Sequence, residues 1–516
     1  MNRSDKDRRT FLSTSIKAAG GLALFPALSR QDGGRPGIPY GVASGDVTRD
    51  RAIVWSRTDR PARMLVEWAT TESFRNVRRE RGPATDGSAG YTARIDLAGL
   101  PRGQRIFYRV RFEDLGDSRR LSEPAVGSFL AAPADPRDVS LAWSADTVGQ
   151  GWGINRELGG MRMYDTIRRA NPDLFIHCGD TIYADSPVPP EIRLDDGTLW
   201  RNVTTPEKSK VAETLAEFRG NYVYNLLDDN VRRFNAGVPQ MVLWDDHEVK
   251  NNWYPGMSLE DDDRYAEKDA RVLAANARRA FLEYSPMRLT SGPLPPIYRS
   301  CSYGPLVDVF ALDLRTYRAA NSPGRQVAPG SDTVHAGAQQ LVWLKRALQS
   351  SSAVWKVIAS DLPIGLVVRD GETAFDAMAN GDGGAPLGRE HEIADLLRYM
   401  RQQRIRNVVW VTGDVHYAAA HHYDPRRARF TDFDPFWEFV AGPLNAGTFG
   451  PGALDATFGP EARFSAVQPG TPPNRPPSDG LQFFGLIRIS GKTRVMTVEL
   501  RNLAGDVIYT IDLDPT

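Results

Sequence analysis

Four short polar stretches interrupt the apolar runs of this chain, and each carries a carboxylate. Trp143-Ser144-Ala145-Asp146 ends one run, and His177-Cys178-Gly179-Asp180-Thr181-Ile182-Tyr183 ends a second. Trp244-Asp245-Asp246-His247-Glu248-Val249-Lys250-Asn251-Asn252 ends a third, and Val411-Thr412-Gly413-Asp414-Val415-His416 a late one. Such runs read as buried strands, and ligands of open α/β sheets sit at the strand ends. Carboxylates delivered to one place repel each other unless cations neutralise them. The pattern therefore points to a polynuclear metal centre. Gly179 allows a tight turn, so that Asp180 can bridge two ions, and Tyr183 can return to the same ion. Asp414 and His416, two apart on an extended segment, share one face. The ligand set is Asp146, Asp180, Tyr183, Asp246, Asp414 and His416, with a single imidazole among oxygens. Phenolate suits Fe(III), while carboxylates and amides suit Ca(II), with another divalent ion as the alternative. Asn251 or Asn252 is the candidate amide. His247, directly after Asp246, is placed as general acid to a leaving alkoxide, with Glu248 to orient it. Asp245 is read as structural.

Other eye-catching residues have plainer readings. His177 is a core histidine at the end of its strand, and His421-His422 either line the site or, the favoured reading, belong to the surface. The two cysteines, Cys178 and Cys301, are free and buried, which excludes a disulfide scaffold or a zinc finger. Gly149-Gln150-Gly151-Trp152-Gly153 looks like a phosphate loop, but no lysine follows, so it shapes the substrate mouth instead.

The elements that must position these groups fall into two grammars. Residues 38–132 contain short alternating runs at Ala52–Trp55, Met64–Trp68, Tyr91–Ile95, Ile106–Val110 and Val126–Phe129. They read as a fibronectin/Ig-like β-sandwich, with Tyr108 after Leu100-Pro101-Arg102-Gly103 as its tyrosine corner. Residues 131–136 form a Pro-rich linker. Residues 138–516 alternate apolar strands with helical stretches (158–170, 206–228, 265–283, 337–349 and 388–404), the pattern of an α/β domain whose strands are buried on both faces. The 516 residues carry 64 basic and 64 acidic side chains, so no excess positive field favours nucleic acid. Residues 1–29 hold Arg8-Arg9, a short apolar stretch and Ala27-Leu28-Ser29, which together resemble a twin-arginine (Tat) export signal. That implies the Tat machinery as a partner and a periplasmic, extracellular or cell-envelope destination. No later segment is long and apolar enough to span a bilayer.

Taken together, Tyr40-Gly41-Val42-Ala43-Ser44-Gly45-Asp46 and the motifs at 179–183, 244–252 and 413–416 resemble the alkaline phosphatase D (PhoD-like) family of the calcineurin-like metallophosphoesterases. The resemblance covers nearly the whole chain. It implies a four-layer core of two sheets flanked by helices. It also implies hydrolysis of phosphomonoesters or phosphodiesters with iron and calcium, by attack of a metal-activated hydroxide. The substrate is then a small-molecule or lipid phosphate ester. Asp180, Tyr183 and Asp414 match family metal ligands. Asp146 falls where the best-known branch carries cysteine, and Asp246 where the wider superfamily has asparagine. Asp361 falls near another superfamily histidine, and whether it ligates is open. Two alternatives stand beside this reading: a phospholipase-type or nucleotide phosphodiesterase on the same core, and an exported binding protein with a degenerate metal site.

Overall fold

A computed structural model of the chain describes residues 34–516, Pro293 excepted. The export leader expected over residues 1–29 lies outside the described residues.

Two large sheets lie face to face with helices outside them. The first has nine strands in the order Val507–Leu513, Met496–Asn502, Phe483–Ile489, Val139–Ser144, Leu174–Cys178, Gln240–Leu243, Val42–Gly45, Arg51–Arg57 and Thr92–Ala98. The second has seven: Arg299–Ser302, Val307–Ala311, Trp355–Ala359, Val408–Thr412, Phe436–Val440, Ala419–Tyr423 and Pro460–Ser465. The apolar runs are uniform because both faces of each strand are covered. Leu141, Trp143 and Ile176 point inward and meet Val309, Val357, Val409 and Val411 of the other sheet. The rings of Trp143 and Phe439 lie 6.4 Å apart across that interface. Ala142, Phe175 and Val242 point outward under the helices Arg162–Ala170, Leu215–Asn225, Asp229–Gly237 and Ala270–Tyr284. Phe310, Ile358 and Trp410 likewise lie under Ala338–Ser350 and Glu390–Gln402. This is the four-layer α/β arrangement that the resemblance implies.

The helical stretch expected over 206–228 is two pieces. A single turn, Pro206–Lys208, precedes a helix that starts only at Leu215. The later start is set by a capping box, in which Thr214 accepts from Glu217 N–H while the Glu217 carboxylate accepts from Thr214 N–H. Asp228 then caps the further helix Asp229–Gly237.

The five expected strands of the N-terminal region are all present, with two more at Val42–Gly45 and Arg78–Thr85. The strand Arg78–Thr85, RRERGPAT, is almost entirely exposed at a sheet edge, so its composition follows edge chemistry rather than burial. It pairs into a four-stranded sheet, Arg78–Thr85, Ala62–Ala69, Arg105–Asp114, Ala125–Leu130. Met64, Val66, Ile106 and Val110 of that sheet pack on Val42, Val54 and Leu97. The opposing layer of the sandwich is therefore the end of the nine-stranded sheet itself. Val42–Gly45 runs parallel to Gln240–Leu243, and Asp46 N–H donates to the Gln240 carbonyl at 3.1 Å. The Asp46 carboxylate is gripped by Arg299 Nε at 3.0 Å and Arg288 N–H at 2.7 Å. A parallel pairing across almost two hundred residues leaves no local trace in sequence. The tyrosine corner is not formed: the buried Tyr108 hydroxyl has no backbone partner among the described residues, and its ring lies against Gly127, where a Cβ would collide with it.

The neighbouring parallel strands Val139–Ser144, Leu174–Cys178 and Gln240–Leu243 end on the same side as Val307–Ala311, Trp355–Ala359 and Val408–Thr412 of the facing sheet. That shared end is where the polar stretches emerge.

Candidate metal centre

The strand ends converge. One oxygen or nitrogen from each of Asp146, Asp180 and His416 lies within 4.8 Å of the others. Asp180, Asp246 and His247 form an adjoining group of the same span, and Asp245, Asp246 and Asp414 a third. Asp180 is shared by the first two groups and Asp246 by the last two. Tyr183 joins the first group through its hydroxyl, 2.8 Å from His416 Nε2. His416 Nδ1 is 2.5 Å from the Gly447 carbonyl, an acceptor only, so Nδ1 carries the proton and Nε2 turns its lone pair toward Tyr183.

The backbone is bent sharply to achieve this. Asp146, Asp180, Asp414 and His416 all have positive φ, at 69°, 53°, 65° and 63°. Gly179 precedes Asp180 at φ 101°, and a Cβ there would lie 2.6 Å from the Asp245 Cβ, so only glycine lets the two turns close.

The electrostatics demand a counter-charge. Both carboxylate oxygens of Asp146 and Oδ1 of Asp246 are buried and have no hydrogen-bond partner among the described residues. Burial, followed by the Asp414 charge, pushes the Asp146 carboxyl well above the usual carboxylate range. Burial does the same for Asp180, reinforced by Asp246 and opposed by His247. Asp414 is pushed up to about 7 by burial and then by Asp246. Groups this unfavourable as anions stay ionised only beside cations. Bare oxygens, a buried phenol and one oriented imidazole fit hard metal ions.

A family model for PhoD-like phosphatases matches residues 141–500, and one for the N-terminal domain of those proteins matches residues 24–133. The chain belongs to the PhoD-like phosphatase family. It is therefore a hydrolase acting on phosphate esters. It is 28% identical over 482 residues to alkaline phosphatase D of Bacillus subtilis (strain 168), covering 86% of this chain and 76% of that protein. A solved structure of PhoD superposes with a TM-score of 0.67 at 21% identity, covering 92% of this chain and 89% of that one. The purple acid phosphatase PPD1 of yellow lupin shares the fold with a TM-score of 0.59 at 14% identity, covering 93% and 74%.

Within this PhoD-like site His247 belongs to the second group. Its ring stacks on Tyr183, with centroids 4.2 Å apart, and Nε2 is 3.9 Å from Asp246 Oδ1. The expected orienting residue is replaced by another. Glu248 instead accepts from Thr181 N–H at 2.6 Å and Asp245 N–H at 2.8 Å, bracing the two turns. The partner of His247 is Asp185, whose Oδ1 lies 2.7 Å from Nδ1. Burial opposes charge on His247, but Asp185, Asp246 and Asp180 outweigh it and hold the imidazole well above its usual range. Asp185 lies two residues past Tyr183, a carboxylate in the same segment as the Gly179-Asp180 motif; that spacing was the available signal.

Asp245 serves a buried ion pair. Its Oδ1 accepts from Arg315 Nε at 2.5 Å, and neither side chain reaches solvent. Asp361, left open by the sequence, is 3.5 Å from the same guanidinium and in none of the three groups. Arg315 follows the strand Val307–Ala311 as another polar strand end, yet a lone arginine carries no ligand signature. Asn252 turns its amide nitrogen to Asp370 at 2.9 Å, while Asn251 is exposed and contributes its backbone N–H to Asp185. The glycine loop does line the site: Gly149 packs on the Tyr183 ring, and Gln150 accepts from Gly447 N–H at 3.2 Å. His177 is buried in the core beside Thr147. Cys178 and Cys301 are free and buried. His421 departs from its surface reading: it is 2% exposed and bonds Glu438 at 3.0 Å, while His422 is half-buried.

Proposed function

We propose that this chain is an exported phosphoesterase dependent on two adjoining cations, and that His247 protonates the leaving group. The observation that carries this is the sharing of Asp180 between two buried clusters whose neighbouring oxygens on Asp146 and Asp246 lack partners. Asp146, Asp180, Tyr183 and His416 would hold Fe(III), since phenol and imidazole join carboxylates there. Asp180, Asp246 and Asp414 would hold Ca(II). Bound there, the ions would supply a reactive water and neutralise charge on the phosphoryl oxygens.

The protein's own residues do the remaining work. Asp185 fixes the His247 ring from Nδ1, the Tyr183 ring supports its face, and Nε2 is left toward the second cluster as proton donor to the departing oxygen. Lys208, buried, donates to the Tyr183 carbonyl and anchors that segment. The substrate is a small-molecule or lipid phosphate ester. The Arg8-Arg9 leader supports Tat export to the periplasm or cell surface, and no helix among the described residues is long and apolar enough to cross a membrane. Elemental analysis of natively exported protein tests the proposal, with activity measured before and after chelation. Stoichiometric iron and chelator-sensitive turnover are expected, whereas full turnover without metal would refute it. Comparing a monoester with a diester chromogen separates the phosphatase from the phosphodiesterase reading.

A further inference from the structure

A cavity of about 570 Å³ opens at the end of the second sheet opposite the carboxylate centre. Lys356 and Asn407 line it near the starts of Trp355–Ala359 and Val408–Thr412, the strands whose far ends lead to Asp361 and Asp414. Arg404, Arg406 and Arg494 line it as well. None of these arginines has an ion pair or side-chain hydrogen bond among the described residues. Arg401, one turn earlier, shows the usual alternative: it pairs with Asp432 at 3.3 Å. The acid beside the cavity, Asp308, sits opposite Lys356 in the sheet, and Ser351 occupies its Oδ2 at 2.6 Å. Thr516 reaches the cavity through its backbone, with its N–H on Asn407 Oδ1 at 2.8 Å.

The backbone under two of these arginines is unusual. Arg404 has φ 54° just past the helix Glu390–Gln402, where Ile405 N–H closes on the Met400 carbonyl at 2.9 Å. Glycine is the ordinary residue at such a helix end. Arg494 has φ 64° in the hairpin turn before Met496–Asn502, another position that glycine or asparagine fills without strain. Two unrelated turns thus hold arginine in left-handed backbone, and both open on the same cavity.

We propose that this cavity is a second phosphate-binding site, remote from the metal centre, in which Arg404, Arg406 and Arg494 grip one phosphate group. Guanidinium forks match phosphate oxygens in pairs, and these three are exposed, so a phosphate has only water and no protein partner among the described residues to displace from them. The volume exceeds one phosphate, so the group arrives either as the free product or on a small organic molecule.

Calorimetric titration of the metal-loaded full chain tests this with two probes. One is inorganic phosphate; the other is phenylphosphonate, whose C–P bond ester hydrolysis leaves intact. The native protein should show two sites for at least one probe. Arg404→Gly/Arg494→Gly should retain only the catalytic site, its second affinity falling about tenfold or more, the worth of one charge-assisted hydrogen bond. Its kcat and KM on p-nitrophenyl phosphate should not change. Glycine relieves both left-handed turns, so the melting temperature should hold or rise, and Arg406→Gln gives an independent readout without touching them. A second site for phosphate alone identifies the product as ligand; one that takes phenylphosphonate as well identifies an organic phosphate. A single site in the native protein, or two sites surviving in the variants, overturns the proposal.

Discussion

Replacing Asp185 by asparagine separates the positioning of His247 from the binding of metal. Asp185 is 4% exposed and uses both oxygens: Oδ1 faces His247 Nδ1 at 2.7 Å, and Oδ2 accepts from Asn251 N–H at 2.8 Å. Asparagine presents one oxygen to two donors, so either the imidazole or the Asn251 turn loses its acceptor. The negative charge that holds the imidazolium is lost in both cases. A buried charge-assisted hydrogen bond is worth about 1.5–3 kcal/mol, which corresponds to about a ten- to hundredfold fall in kcat. His247→Ala, which removes the proton donor itself, should cost about 10²–10⁴-fold. Asp185 belongs to none of the three clusters, so metal content should be unchanged in Asp185→Asn. The decisive assay compares leaving groups. Phenyl phosphate, whose leaving oxygen is basic, should lose far more rate than p-nitrophenyl phosphate, whose leaving group departs unaided. An equal loss on the two substrates would refute the assignment of His247 as proton donor, and loss of metal from Asp185→Asn would refute the separation of roles.

Other perturbations give sharp outcomes. Asp180→Asn should lose metal from both adjoining clusters together, whereas Asp414→Asn should spare the cluster of Asp146 and His416; elemental analysis reads both. Gly485→Ala places a methyl in the Trp143 ring between the sheets, and should cost about 1–3 kcal/mol in denaturant melts with metal content unaltered. Burial raises Glu390 to about 8 from an ordinary 4.5, so the folded state holds a proton there that the unfolded chain releases. Its stabilising contribution is complete below pH 4.5 and declines as pH rises toward 8. Glu390→Gln should therefore flatten that decline and melt above the native protein near pH 8.

The sequence makes the strand ends legible because burial on two faces imposes uninterrupted apolar runs, and each run stops where a carboxylate begins. All six ligand candidates reach the same place for that reason. Asp185 does not declare its role in the sequence because it serves a side chain rather than an ion, and nothing in its type distinguishes the two uses. Glu248 departs from its expected role because adjacency in sequence is not adjacency in space. The turn at Asp246 sends the His247 ring toward Tyr183 while Glu248 folds back under Asp245 and Thr181. The sandwich was legible strand by strand except at its charged edge, but its fusion to the catalytic sheet depends on Gly45 meeting Gln240, a pairing that no local pattern encodes. His421 is buried by its pairing with Glu438 on the neighbouring strand, which balances its polarity and leaves no mark on the segment itself.

The left-handed turns tie these observations to one cause. Aspartate tolerates positive φ because its short side chain can bond locally, but the two Asp146 oxygens have no such bond among the described residues. His416 and the β-branched Val148 lack even that excuse, yet both adopt φ above 60° within the same site. Conformations of this kind persist only where surrounding structure over-determines them. Here the surroundings are the facing sheets, the Gly447 carbonyl on His416 and the Asn445 carbonyl on Val148. The fold thus forces unpartnered carboxylates together in strained backbone, with Arg315 behind Asp245 and His247 beside Asp246 offsetting part of their repulsion. Cations in front of Asp146, Asp180 and Asp246 would remove the repulsion and satisfy the oxygens that lack protein partners. The same cations would place positive charge where a phosphoryl group needs it, so the crowding of carboxylates that calls for cations is what suits the site to phosphate esters.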